Sequence, residues 1–287
     1  MDRRDCLHSL AASGLASLVA PVRASGDGLR IGLTPVILAD QVAFLSRWGN
    51  YLTERVGCEV IFMARESYQG SLEMLFAGQI DAAWICGYPY VRFESALSLL
   101  AVPQYLGSPT YQAYLIRTKT SSTLINNWAD LRAKVLAYSD PLSNSGWLVA
   151  QAQLAKAGLS TRDLKRSFFA HGHRNVAESV AAGLAQAGSI DGYVWETMQK
   201  QGMTAVAQTE VAWKSDPYGF PPLVVKRGNV HPMNAQLRQA LLAMTDDATG
   251  RDLLRTLNLT GFTEGNAKLY DSIRRQAHSV PGSGVSA

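Results

Sequence analysis

Apolar and polar positions along the chain fall into blocks that alternate between strand and helix periodicity. The apolar run "LRIGLT" at 29–34 precedes a stretch from Asp40 to about Val56 in which Val42, Leu45, Gly49, Leu52 and Val56 recur near helical spacing. The strand-like "CEVIFMA" opening at Cys58, a helix from Ser67 to Ala77 stopped by Gly78, and "DAAWIC" complete a βαβαβ unit. Such a unit predicts a parallel sheet with right-handed crossovers. The same order then returns through "YQAYLIRTK", the helix-forming "NWADLRA", "KVLAYS", a helix over 147–157, "SFFAHG", a helix from about Asn175 to Ala187, and "DGYVW".

The pattern therefore predicts an α/β fold of two lobes, each a mostly parallel sheet flanked by helices, with a cleft between them. Helix-like stretches "MNAQLRQALLAM", "RDLLRTL" and "NAKLYDSIRRQA" complete the lobes. The expected division is 27–111 plus 229–278 for the first lobe and 112–228 for the second, with a disordered tail at 279–287. A short repeat links the lobes: "LFAGQIDAAWIC" and "LAQAGSIDGYVWE" place Gly78 and Gly188, and Asp81 and Asp191, 110 positions apart. On that register Cys86 and Glu196 are equivalent, each at the end of its strand. In open parallel sheets ligands bind outside the carboxyl ends of the strands, so both residues are expected at the cleft.

Composition narrows the class. At 287 residues and 47% hydrophobic the chain has enough apolar material for one large core or two ordinary ones. A net charge of +4 without blocks of Lys or Arg excludes a basic stripe for nucleic acid. The opening "MDRRDCLHSLAASGLASLVAPVRAS" has the order of a secretory signal, a charged pair, an apolar stretch and small residues, so 1–24 reads as a cleaved leader of Sec or twin-arginine type. No later segment is long and apolar enough to span a bilayer. These features predict an exported protein that does not itself span the membrane. The remaining cysteines, Cys58 and Cys86, lie at opposite ends of parallel strands and are expected to be free thiols.

One turn carries candidate chemistry. Between the apolar 135–138 and the following helix the chain gathers Pro141, Ser143, Asn144, Ser145 and Gly146. A helix N-terminus leaves N–H groups unpaired and carries partial positive charge. Small hydroxyl and amide residues at that point add donors, and Gly146 permits close approach. The composition fits an oxyanion cradle as well as it fits plain N-capping.

At these residues the chain resembles a family. "YSDPLSNSGWLVAQAQLAKAG" is similar to the "DPxSxSG" turn and helix of the periplasmic phosphate/phosphite/phosphonate-binding proteins of ABC importers. "SYQGSLEMLFAGQIDAAWICGYPYV", "FFAHGHRNVAESVAAG" and "FPPLVVKRG" resemble further segments of it, so the likeness covers most of the mature chain. The resemblance implies a class II two-lobed binding-protein fold. It puts Ser143, Asn144 and Ser145 on the anion, with Tyr68, Tyr90 and His173 around it. Asn175 and Glu178 form a plausible capping box beside His173.

The chain departs from the family pattern at Asn144, at Arg174 after the His, and at Cys86-Gly87. Arg174 favours a highly charged anion, whereas Glu196 at the cleft edge suits an amine or a protonated oxyanion. Cys86 raises an alternative, because arsenite-binding sensors resembling this family use a cysteine; such a protein signals to a membrane histidine kinase. A third reading, an enzyme with Cys86 as nucleophile, lacks an orienting group for His171 or His173. The sequence thus points to a non-enzymatic solute-binding protein without a cofactor. Its expected partners are a small oxyanion and the membrane subunits of an ABC importer.

Overall fold

The computed structural model describes residues 28–34, 42–65, 67–119, 124–228 and 231–284. The expected leader at 1–24 and the first two residues of the helix expected from Asp40 lie outside them. Two sheets form two lobes. The first is ordered β13-β4-β12-β3-β1-β2, from β1 (Leu29–Leu33), β2 (Val60–Ala64), β3 (Ala82–Trp84), β4 (Leu97–Gln104), β12 (Leu223–Lys226) and β13 (Gly261–Thr263). The second is ordered β10-β6-β9-β7-β8, from β6 (Ala113–Thr118), β7 (Val135–Tyr138), β8 (Arg166–Phe169), β9 (Ala187–Asp191) and β10 (Thr209–Lys214). In each, three strands pair in parallel and the others join through antiparallel pairings. A ribbon of β5 (Thr110–Tyr111) and β11 (Tyr218–Gly219) lies on the two chain crossings between the sheets.

Helices follow the parallel strands: α1 (Val42–Val56), α2 (Tyr68–Phe76) and α3 (Gly87–Arg92) in the first lobe, α4 (Val149–Lys156), α5 (His173–Ala181), α6 (Gly192–Lys200) and α7 (Thr204–Ala207) in the second. The C-terminal helices α8 (Asn234–Leu242), α9 (Ala248–Thr256) and α10 (Asp271–Ser279) return to the first. The buried stripe of α1 is Phe44, Trp48, Tyr51, Leu52 and Val56, with Val42 left exposed, because the aromatic rings outcompete the aliphatic positions for the sheet. Trp48 stacks on Phe62 at 4.6 Å and meets Trp84 edge-on at 6.1 Å. Burying such a ring contributes roughly 2–3 kcal/mol.

Four expectations change. The second lobe does not extend to 228, since Leu223–Lys226 already pairs with β3 and β4 of the first sheet. "DGYVW" is helical, not a strand: β9 ends at Asp191, whose side chain accepts from Val194 N at 3.3 Å and starts α6. Gly188 therefore lies inside a strand whereas Gly78 lies in a turn at φ 69°, and the register of 110 fails. The tail is ordered through 284: Tyr88 donates to Ser283 O, and Ser283 Oγ donates to Ala277 O at 2.7 Å. Cys58 and Cys86 are both free.

Candidate functional site

Five helix N-termini meet where the two sheets face each other. They stand at the carboxyl ends of β2, β3, β7, β8 and β9, with Ser67, Cys86, Ser143, Gly172 and Asp191 as their N-caps. Contacts between the lobes tie them together. Tyr68 N donates to Asp140 Oδ2 at 3.4 Å, the Tyr68 hydroxyl lies 3.4 Å from His173 Nε2, and Asn144 N donates to Cys86 Sγ at 3.2 Å. Tyr88 stacks on Trp147 at 6.0 Å. The lobes are thus seen closed on one another.

The turn after β7 explains its composition. Asp140 Oδ1 accepts from Leu142 N at 2.7 Å, bending the chain past Pro141, and Ser143 Oγ accepts from Gly146 N at 2.9 Å. The first turn is a π-helix over Asn144–Leu148, with Leu148 N donating to Ser143 O at 3.0 Å. Such widened turns are frequent at functional sites. A Cβ at Gly146 would collide with Ser139 Oγ, so only glycine lets the turn pack against β7. Ser139, Asn144 and Ser145 are fully buried, yet among the described residues Ser139 Oγ, Asn144 Oδ1 and Ser145 Oγ make no hydrogen bond of good geometry. Buried polar atoms without partners are costly, and three of them gathered on one turn and the strand end before it form a place where another molecule's atoms can complete the bonding.

Protonation follows from burial. His173 is fully buried, which drops its pKa to about 3, so the ring is neutral. Its Nδ1 accepts from Asp191 N at 3.1 Å, which fixes the proton on Nε2, the nitrogen facing Tyr68. Burial pushes the Asp191 carboxyl up to about 8, against the pull of the Val194 and Tyr193 N–H groups. It pushes the Cys86 thiol up to about 11 and raises the Tyr68 and Tyr111 hydroxyls well above their usual value. Asp140 is also raised by burial. His173, Asp191, Cys86, Tyr68 and Tyr111 are consequently neutral at ordinary pH, and among the described residues no buried side chain is Lys or Arg.

The structure gathers six of the residues singled out in the sequence: Tyr68, Cys86, Ser143, Asn144, Ser145 and His173. Two are elsewhere. Tyr90 points along α3, with its hydroxyl 3.4 Å from Glu94 Oε1 and its ring on Tyr270, because the helix turns it away from the cleft. Glu196 is one turn inside α6 and not at a strand end. It accepts from the Tyr105 and Tyr114 hydroxyls and lies 3.9 Å from Lys214 Nζ. The capping box does not form, since α5 begins at His173; Asn175 Nδ2 donates to Ala170 O and Glu178 pairs with Arg174 at the surface. Ser139, Asp140, Tyr111 and Asp191 also belong to the cluster and had not been singled out as site residues. Tyr111 accepts from Asn144 Nδ2 at 3.0 Å, and Asp191 caps α6 beside His173.

Comparison with known proteins gives a consistent result. Residues 31–270 match the model of the family described as ABC transporter, phosphonate, periplasmic substrate-binding protein. The chain is 28% identical over 230 residues to the phosphate-import protein PhnD of Mycolicibacterium smegmatis, covering 75% of this chain and 69% of that one. It superposes with a TM-score of 0.79 on the binding-protein component of an ABC phosphonate transporter from Pseudomonas aeruginosa, at 20% identity, covering 86% of this chain and 84% of that one. PhnD1 of Prochlorococcus marinus, in complex with methylphosphonate, gives 0.78 at 18% identity, covering 88% and 97%. The two structural matches speak for the fold.

Proposed function

The chain belongs to the family of phosphonate periplasmic substrate-binding proteins of ABC transporters, and we propose that its interlobe site captures a small phosphorus oxyanion, phosphate, phosphite or a phosphonate, for the membrane subunits of an importer. The observation that carries this reading is the set of unpartnered buried atoms at Ser139, Asn144 and Ser145 beside converging helix N-termini. An oxyanion there receives N–H groups of the turn and of α5, the hydroxyls of Ser139, Ser145, Tyr68 and Tyr111, and the Nε2 proton of His173. Asp191, neutral at ordinary pH, can give or accept one more bond. Closure is driven by the contacts the ligand makes with both lobes at once. Delivery to an importer places the protein outside the cytoplasm, with 1–24 as the leader that takes it there.

Cys86 does not favour arsenite. Its sulfur already accepts the Asn144 N–H, and burial keeps it a thiol, whereas a soft ligand needs a thiolate. Thermal melts with phosphate, phosphite, methylphosphonate, 2-aminoethylphosphonate, sulfate and arsenite test the reading, on wild type and Cys86→Ser. A phosphorus oxyanion at about 100 times its Kd is expected to add about 2.7 kcal/mol of stability to both proteins. A shift by arsenite alone, lost with Cys86→Ser, or no shift by any of them, overturns it.

A further inference from the structure

Asn144 leaves an acceptor open where the two lobes meet. Its backbone N–H is given to Cys86 Sγ at 3.2 Å and its Nδ2 to the Tyr111 hydroxyl at 3.0 Å, which leaves Oδ1 buried and without a partner among the described residues. The neighbouring hydroxyls of Ser143 and Ser145 can turn a proton toward or away from a ligand, but an amide oxygen has none to turn. Sealed from water, it is satisfied only when the bound molecule brings a donor.

Building on the oxyanion reading above, we propose that Asn144 sets the ligand class: the site takes an oxyanion that carries its own hydroxyl, a monoanionic phosphonate or phosphate, and turns away fully ionised ones such as sulfate. Two further observations agree. No buried Lys or Arg among the described residues stands ready to balance a second negative charge. The carboxyl groups of Asp140 and Asp191 border the same cluster, at the Tyr68 N–H and at the His173 ring. The donor belongs to the phosphoryl group and not to a distant amine, because Asn144 lies within the anion turn, between two serines and one residue past its N-cap. A site that hydrogen-bonds a ligand hydroxyl rejects an analogue lacking it, because its own buried group is then stranded.

Calorimetric titration in mildly acidic buffer tests this with three anions. Methylphosphonate there keeps one hydroxyl; sulfate is a dianion with none; hypophosphite is a monoanion with none. Wild type is expected to bind methylphosphonate at least about 100-fold more tightly than either of the others. In Asn144→Ser the hydroxyl can reorient, and the preference for methylphosphonate over sulfate is expected to shrink by at least about tenfold. The inference is overturned if sulfate or hypophosphite binds wild type as tightly as methylphosphonate, the result also demanded by an amide turned with Nδ2 inward. An unchanged preference in a folded Asn144→Ser overturns it too. Should that variant fail to melt cooperatively, the wild-type ranking alone decides. In either failure methylphosphonate still binds, so the oxyanion reading survives; if methylphosphonate, phosphate and phosphite all fail to bind wild type, that reading falls and takes this inference with it.

Discussion

A shift of 105 positions carries the parallel strands of the first lobe onto those of the second. Leu33 pairs with Ala64 as Tyr138 pairs with Phe169, and Ile31 with Ala82 as Leu136 with Ala187. The same shift takes Thr34 to Ser139, Tyr68 at the start of α2 to His173 at the start of α5, and the N-cap Cys86 to the N-cap Asp191. The frames agree, but the bonding does not. Thr34 Oγ1 donates to Trp84 O at 3.1 Å, and Ser67 caps its own helix through Gly70 N. Their counterparts are Ser139, whose Oγ has no partner among the described residues, and Gly172, which has no side chain to cap with. At these positions the first lobe satisfies its own groups and the second leaves an acceptor or donor open.

The strongest way to break this comparison is at Gly146. Gly146→Val is expected to destabilise the protein by about 1–3 kcal/mol and to lower oxyanion affinity by at least about 100-fold, read by melting and titration. A variant that binds as wild type would remove the turn from the site. The next contrast is in pH. Asp191 has a folded pKa of about 8 against 3.8 unfolded, so its stabilising effect is complete below about pH 4 and is lost as pH rises to about 8. His173, at about 3 against 6.5, works the other way: its contribution is present above about pH 6.5 and lost as pH falls toward 3. Denaturant melts of Asp191→Asn should flatten the alkaline side of the profile, those of His173→Gln the acid side, and neither the reverse.

Smaller effects separate the equivalent hydroxyls. Thr34→Val should cost about 1 kcal/mol of stability and leave affinity within about twofold. Ser139→Ala should leave stability within about 0.5 kcal/mol and weaken phosphate or methylphosphonate binding about five- to tenfold. Equal effects on affinity would erase the distinction between the lobes. The smallest change is expected from Tyr90→Phe, within about 0.5 kcal/mol and without effect on binding, because its hydroxyl serves Glu94.

Much of the frame was legible from apolar periodicity, because strands buried on both faces and helices stopped by glycine leave strong marks. The turn at 143–146 and His173 were legible from residue type and resemblance. Asp191 was misread because "SIDGYVW" looks like Asp before a strand, as at Asp81; the competing signal was an acid followed by a helix burying Val194, Trp195 and Met198. That one error displaced Glu196 and shifted the internal register from 105 to 110. Tyr111 lies on a strand of two residues, too short to show any period, and only its place on the crossing between sheets exposes it to the cleft. Tyr90 failed for a geometric reason, since Tyr88 and Tyr90, two apart on α3, point to different faces.

The stacking of Tyr88 on Trp147 spans the two lobes, and behind Tyr88 lies the C-terminal segment at Ser283. Any swing of one half relative to the other must part those rings and rewet the indole. The protein thus carries a built-in optical gauge of its own opening.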